Sequence, residues 1–145
     1  VKRPALDDRV RLRPWWRRLD RQQARIIADI RAEIAEQGVA IVAERVRLRG
    51  MELPVHYTVG LTRHEDHPEV IVVDECCECA DQLLGAVADV VRQGVRLGPG
   101  WGIRIDGVDH VLVEVANPNV VHLAQCIYAN PGHHVPALEL VPATP

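Results

Sequence analysis

Serine and phenylalanine are absent from this chain of 145 residues, methionine occurs once, and aromatic residues make up 3%. Without serine there can be no Ser-based catalytic triad. With no Phe and few other aromatics, a core must be assembled from Val, Ile, Leu and Ala, so it is aliphatic and β-branched. No apolar run approaches the roughly 20 residues that span a bilayer, and the Arg-rich N-terminal stretch lacks the apolar segment of a secretory signal. A phosphate-binding glycine loop is missing too: LGPGWG, residues 97–102, has neither the Lys nor the spacing of a P-loop, which disfavours nucleotide hydrolysis. The expectation is a soluble, cytoplasmic protein with no membrane partner. A leading Val1, as a GTG codon read literally, and the heavy preference for Arg over Lys point to a bacterial genome rich in G and C.

A hydrophobic content of 48% at this length supplies one core and not two, so one domain is expected. Charge is divided unevenly along the chain. Residues 1–49 hold 13 of the 17 basic residues against 7 acids, and residues 50–145 hold 4 bases against 13 acids. The organisation read from this is a basic Arg/Trp arm over residues 1–17 followed by a single domain over 18–145. Arg11, Arg13, Trp15, Trp16, Arg17 and Arg18 are its candidate contact residues. Guanidinium groups beside indoles suit phosphates and stacked bases, or a lipid headgroup layer. They equally suit docking on the acidic body of the same or a neighbouring chain. Self-docking or an oligomer contact is preferred, because burying Trp removes a large apolar area from water; nucleic acid is the less favoured partner.

Periodicity supplies the elements. Ile26, Ile27, Ile30 and Ile34 recur at helical spacing and the run stops at Gly38, which predicts an amphipathic helix over 20–37. Strands are expected over 39–46, 55–61 and 70–73, with a turn at Gly50. A second helix should start at Asp74 or Glu75 and close at Gly94, its apolar face running through Cys76, Cys79 or Ala80, Leu83, Leu84, Val87, Val90 and Val91. Asp106-Gly107 signals a hairpin between strands at 103–105 and 110–115. A short helix through Val120, Val121, Ala124 and Ile127 and a last strand over 137–141 complete the chain. The mixture lacks a regular βαβ rhythm, so the fold class is α+β: a single domain with a largely antiparallel mixed sheet of five to six strands and two to three packed helices.

HYTVGLT at 56–62, HPEVIVV at 67–73, LGPG at 97–100, LAQCIY at 123–128 and ALEL at 137–140 together resemble the bacterial domain-of-unknown-function family 4262, over approximately residues 35–141. The paired YTVGLT and HPE motifs carry most of the likeness. Glu139 stands where the family's late strand usually has Gln, and the basic arm lies outside the resemblance. The resemblance implies a domain and no activity.

Two constellations could carry chemistry. In the first, His56, Tyr57, Thr58, Thr62, His64, His67, Glu69 and Trp101 form a candidate functional surface around TRHEDH, residues 62–67. Imidazoles and carboxylates on so short a segment could assemble a metal or an acid-base pair. A His-x-x-His spacing in a loop fixes no common face, however, and the preferred reading is an architectural corner in which Pro68 extends His67 and Glu69 accepts backbone hydrogen bonds. Gly60 is expected to allow a bulge or a close approach. In the second constellation, Cys76 and Cys79 stand at C-x-x-C spacing while His122 and Cys126 stand one helical turn apart. These four would make a tetrahedral zinc site if their helices met. Cys76 or Cys77 could instead be a reactive thiol at a helix start, and plain packing as small buried hydrophobes is preferred over both. The expected function is a non-catalytic interaction or regulatory module, without a cofactor, joined by its arm to a protein partner or to further copies of itself. The alternatives are a small metal-dependent hydrolase using the 62–69 loop, with a cleft lined by Tyr57, Thr62 and Trp101, and a nucleic-acid-associated protein.

Overall fold

The computed structural model describes residues 21–48, 50–115, 121–128 and 135–143, the side chains of residues 48, 122, 125 and 126 excepted. The basic arm, with Arg11, Arg13, Trp15, Trp16, Arg17 and Arg18, lies outside the described residues. Helix α1 (Arg21–Gln37) buries Ile27, Ile30 and Ile34, the stripe its spacing demands. Strands β1 (Ala40–Leu48) and β2 (Met51–Val59) pair antiparallel from Ala40 opposite Val59 to Leu48 opposite Met51. A single helical turn, α2 (Leu61–Glu65), follows where the sequence suggested only a loop. It is too short to show a period, so no pattern announces it. Next come β3 (Glu69–Val73), α3 (Cys77–Arg92), β4 (Gly102–Ile105), β5 (Val108–Glu114), α4 (His122–Tyr128) and β6 (Ala137–Pro142). At the β4–β5 turn Asp106 and Gly107 have φ of 51° and 80°, the two positive angles that a type I′ hairpin requires.

The described strands form one open sheet in the order β1-β2-β3-β6-β5-β4. Only β3 and β6 run parallel, the other neighbours being antiparallel. This is the α+β, largely antiparallel arrangement expected. Alternation along the strands divides the interior in two. Val55, Tyr57, Val59, Ile71 and Ala137 pack with α1 and α4 on one face; Val70, Val72, Leu112, Leu138 and Leu140 pack with Ala80, Leu84, Val87 and Val91 of α3 on the other. Each buried Val, Leu or Ile among them contributes about 1.5–3 kcal/mol by leaving water. Because both faces of the central strands are covered, VHYTVGL (55–61) is buried throughout. Among the described residues no helix is long and apolar enough to cross a membrane.

Candidate functional site

Glu69 begins β3 and is fully buried. Its Oε1 accepts the Thr58 hydroxyl at 2.8 Å and the Leu61 N–H at 3.3 Å. Its Oε2 accepts the N–H groups of Gly60 at 3.2 Å and Thr62 at 2.9 Å, and a short hydrogen bond from the Tyr128 hydroxyl. Three of these donors are backbone N–H groups at the start of α2, which a helix leaves without partners of its own. The carboxylate therefore caps α2 from the strand next to the one that leads into it. Burial pushes the Glu69 carboxyl above the usual carboxylate range, and the hydrogen bonds from Tyr128, Thr62 and Thr58 oppose that push. Among the described residues the two oxygens accept from three backbone N–H groups and the Thr58 and Tyr128 hydroxyls, an environment that fits the ionised form. Tyr128 is held protonated by its own burial and by the neighbouring Glu69 charge, so it serves Glu69 as a donor while accepting the Gly60 N–H at 2.6 Å.

His67 completes the corner. Its Nδ1 lies 2.8 Å from the Pro68 carbonyl oxygen, and its Nε2 accepts the Leu97 N–H at 2.9 Å. A backbone N–H on Nε2 and a carbonyl on Nδ1 assign the neutral Nδ1–H tautomer. Thr62 donates its hydroxyl to the His67 carbonyl at 3.1 Å, and Arg96 reaches the carbonyls of Glu65 and Asp66 at 3.3 and 2.6 Å. Within HPE, Glu69 and His67 both bond to backbone groups of the turn.

The expected surface is, for the most part, interior. His56, Tyr57, Thr58, His67 and Glu69 are buried, because β2 and β3 are central strands covered on both faces. Thr62 is half-buried, and only His64 and Trp101 are exposed. Tyr57 ties β1 to α4, bonding Glu44 through its hydroxyl and accepting the Leu123 N–H at 2.9 Å. Trp101 stands beside β4, at the opposite edge of the sheet from β1. Tyr57 is fully buried and bonded to Glu44 and Leu123, so it lines no cleft with Thr62 and Trp101, and His67, with both ring nitrogens engaged, does not join His64 as a ligand.

What opens beside the corner is a pocket of about 500 Å³ between α1, α2 and α4, lined by Arg31, Ile34 and Ala35, by Gly60, Arg63 and His64, and by Ile127 and Tyr128. Arg63 carries its guanidinium carbon 5.2 Å from the centre of the Tyr128 ring, a cation-π contact that holds the side chain over the pocket wall. Arg31 leans on the Ile127 carbonyl at 3.5 Å. Two guanidinium groups and an imidazole thus stand over an apolar floor. Sequence reasoning singled out His64 but neither Arg31 nor Arg63, and it met Tyr128 only inside LAQCIY. Tyr128 meets Glu69 across 59 residues of chain, which no local pattern can signal.

The cysteines also depart from expectation. Cys76, Cys77 and Cys79 are exposed rather than packed, because burial in α3 begins at Ala80. His122 and Cys126 belong to α4, and their side chains lie outside the described residues. Helices α3 and α4 cover opposite faces of the sheet, so the fold does not bring the start of α3 onto α4 as a four-ligand zinc site requires. Among the described residues no three His, Cys, Asp or Glu side chains are grouped to hold a metal ion. Instead Cys76 caps α3, its Sγ accepting the Cys79 N–H at 3.3 Å. Beneath it His56, 3% exposed, points Nε2 at Cys77 Sγ over 3.4 Å, and its Nδ1 meets no partner among the described residues. A buried polar atom left unpaired costs about 1–3 kcal/mol.

Residues 33–145 match the model of a family described as Domain of unknown function (DUF4262). No curated protein and no solved structure matches the chain.

Proposed function

The chain belongs to the DUF4262 family, whose description names no activity, and from its own geometry we propose a non-catalytic interaction or regulatory module that recognises an oxyanion. The observation that carries this reading is the pocket lined both by Arg31, Arg63 and His64 and by Ile34, Ala35 and Ile127. Guanidinium groups grip carboxylate or phosphate with paired hydrogen bonds, and an apolar floor favours a ligand whose charge sits on an apolar body. Acid-base chemistry has little to draw on here. Glu69 spends both oxygens on structural donors and His67 both nitrogens.

Thermal unfolding of the full chain with phenyl phosphate or benzoate at constant ionic strength tests the reading. Millimolar ligand should raise Tm in a concentration-dependent way, as any ligand of the native state must. An R31A/R63A protein should bind at least about tenfold more weakly, since a charge-assisted hydrogen bond contributes roughly 1.5–3 kcal/mol. Equal shifts in both proteins, or none beyond that of added chloride, would remove the pocket from the proposal.

In the same reading the basic arm supplies the contact with a protein partner or a second copy of the chain, its Arg/Trp run facing an acidic surface. The support is the division of charge between residues 1–49 and 50–145. Light scattering on the full chain at low salt should give a mass above one protomer. That mass should fall at high salt, where charges are screened beyond about 3 Å at 1 M, and fall likewise when Arg11, Arg13, Arg17 and Arg18 are all changed to Gln. A monomer at every salt concentration argues against self-association.

A further inference from the structure

We propose that the first turn of α3 is a thiol–disulfide exchange site, in which Cys76 attacks a low-molecular-weight disulfide and Cys79 resolves the adduct. Three observations converge on it. First, Cys76, Cys77 and Cys79 are all exposed at the start of a 16-residue helix, where an incoming disulfide can reach them. Second, Cys76 occupies the N-cap and its sulfur already accepts the Cys79 N–H at 3.3 Å, the bond that favours a thiolate over a thiol. The contact with Cys79 lowers the Cys76 thiol from its ordinary value, in keeping with the N-cap geometry that makes Cys76, the sulfur that accepts the N–H, the attacking one. Third, a histidine that is 3% exposed lies under the turn, its Nε2 turned onto Cys77 Sγ at 3.4 Å and its Nδ1 meeting no partner among the described residues. The sulfur contact engages Cys77 and leaves Cys76 and Cys79 as the exposed pair open to exchange.

The same geometry selects the pair. Residues three apart share a helix face and adjacent ones do not, so Cys79, and not Cys77, is the neighbour that can close on Cys76. His56 meanwhile occupies the Cys77 sulfur.

The exchange balances in two steps. The Cys76 thiolate attacks one sulfur of RSSR; that S–S bond breaks, a Cys76–S–S–R bond forms, and RS⁻ leaves and takes a proton as RSH. Cys79 then gives its proton to solvent and its thiolate attacks Cys76 Sγ. The second RS⁻ leaves, and the Cys76–Cys79 disulfide remains. The protein has lost two electrons and RSSR has gained them, giving two RSH; excess RSH runs the sequence backwards.

The test uses reduced full-length protein and glutathione disulfide, with acid quenching and peptide mapping by mass spectrometry. The first adduct is expected on Cys76, giving way to a Cys76–Cys79 disulfide that excess glutathione reverses. In Cys79→Ser protein the reaction should halt at glutathione on Cys76. Alkylation by iodoacetamide at pH 7 should be about tenfold faster at Cys76 in the folded chain than in the same chain in urea. A first adduct on Cys77, Cys79 or Cys126 overturns the proposal, as does a folded-state alkylation rate no higher than the unfolded one.

Discussion

Glu69→Ala is expected to cost about 5 kcal/mol, a third or more of the roughly 5–15 kcal/mol that holds a domain of this size together. The backbone N–H groups of Leu61 and Thr62 lose their side-chain acceptor, that of Gly60 is left with Tyr128 alone, and the Thr58 and Tyr128 hydroxyls lose the carboxylate they donate to. Unsatisfied buried groups cost about 1–3 kcal/mol each, and the vacated volume adds a cavity term. Glu69→Gln is the sharper test, because volume is kept and only charge and one acceptor change. The amide NH2 fits best on the Oε1 side. There Thr58 Oγ1, which already accepts the Val70 N–H at 2.9 Å, can rotate its hydrogen away and accept a second bond. Leu61 N–H is then orphaned, and the amide oxygen meets Gly60, Thr62 and Tyr128 without a full negative charge. The expected loss is about 2–3 kcal/mol, with the urea midpoint lowered and its slope unchanged. A Gln protein as stable as the parent would mean that the carboxyl is neutral in the native state.

Much of this framework is legible in local pattern. The Ile27, Ile30, Ile34 stripe reads directly as α1, Asp106-Gly107 as a hairpin, and the HPE corner with Glu69 on backbone donors follows from a proline beside a polar loop. The misreadings share one physical cause, which is that burial depends on what covers an element. HYTVGLT alternates polar and apolar side chains as a half-exposed strand does, yet β2 sits inside the sheet with helices on both sides, so His56 and Thr58 are interior. CCEC carries the opposite error. Its thiols sit at helical spacing with Leu84 and Val87, and packing still starts only at Ala80. Long-range pairs such as Tyr128 with Glu69, and the parallel β3–β6 register, leave no mark on neighbouring residues.

Gly60→Ala should be nearly as damaging, although it adds a single methyl group. The residue has φ 125° and ψ −27°, a conformation open to glycine and costly to any residue with a Cβ, by about 1–3 kcal/mol. A Cβ placed there would lie 2.6 Å from the Gly38 carbonyl oxygen and 3.1 Å from Val39 Cα. Both are backbone atoms, so no side chain can swing aside, and the end of α1 must part from the end of β2. That movement also pulls the Gly60 N–H from Glu69 and Tyr128. A total near 3–5 kcal/mol is expected from the combined strain and lost bonding. Gly85 provides the internal control. It lies inside α3, where an added methyl would have nothing within 4 Å, so Gly85→Ala should be neutral or stabilising by about 0.5–1 kcal/mol. Urea unfolding followed by circular dichroism compares the two directly. Since Gly60 also lines the Arg31–Arg63 pocket, Gly60→Ala should weaken anion binding even at temperatures where the variant is still folded. Equal tolerance at both glycines would mean that α1 and α2 are not held at a fixed distance. The pocket would then have to form around its ligand instead of waiting for it.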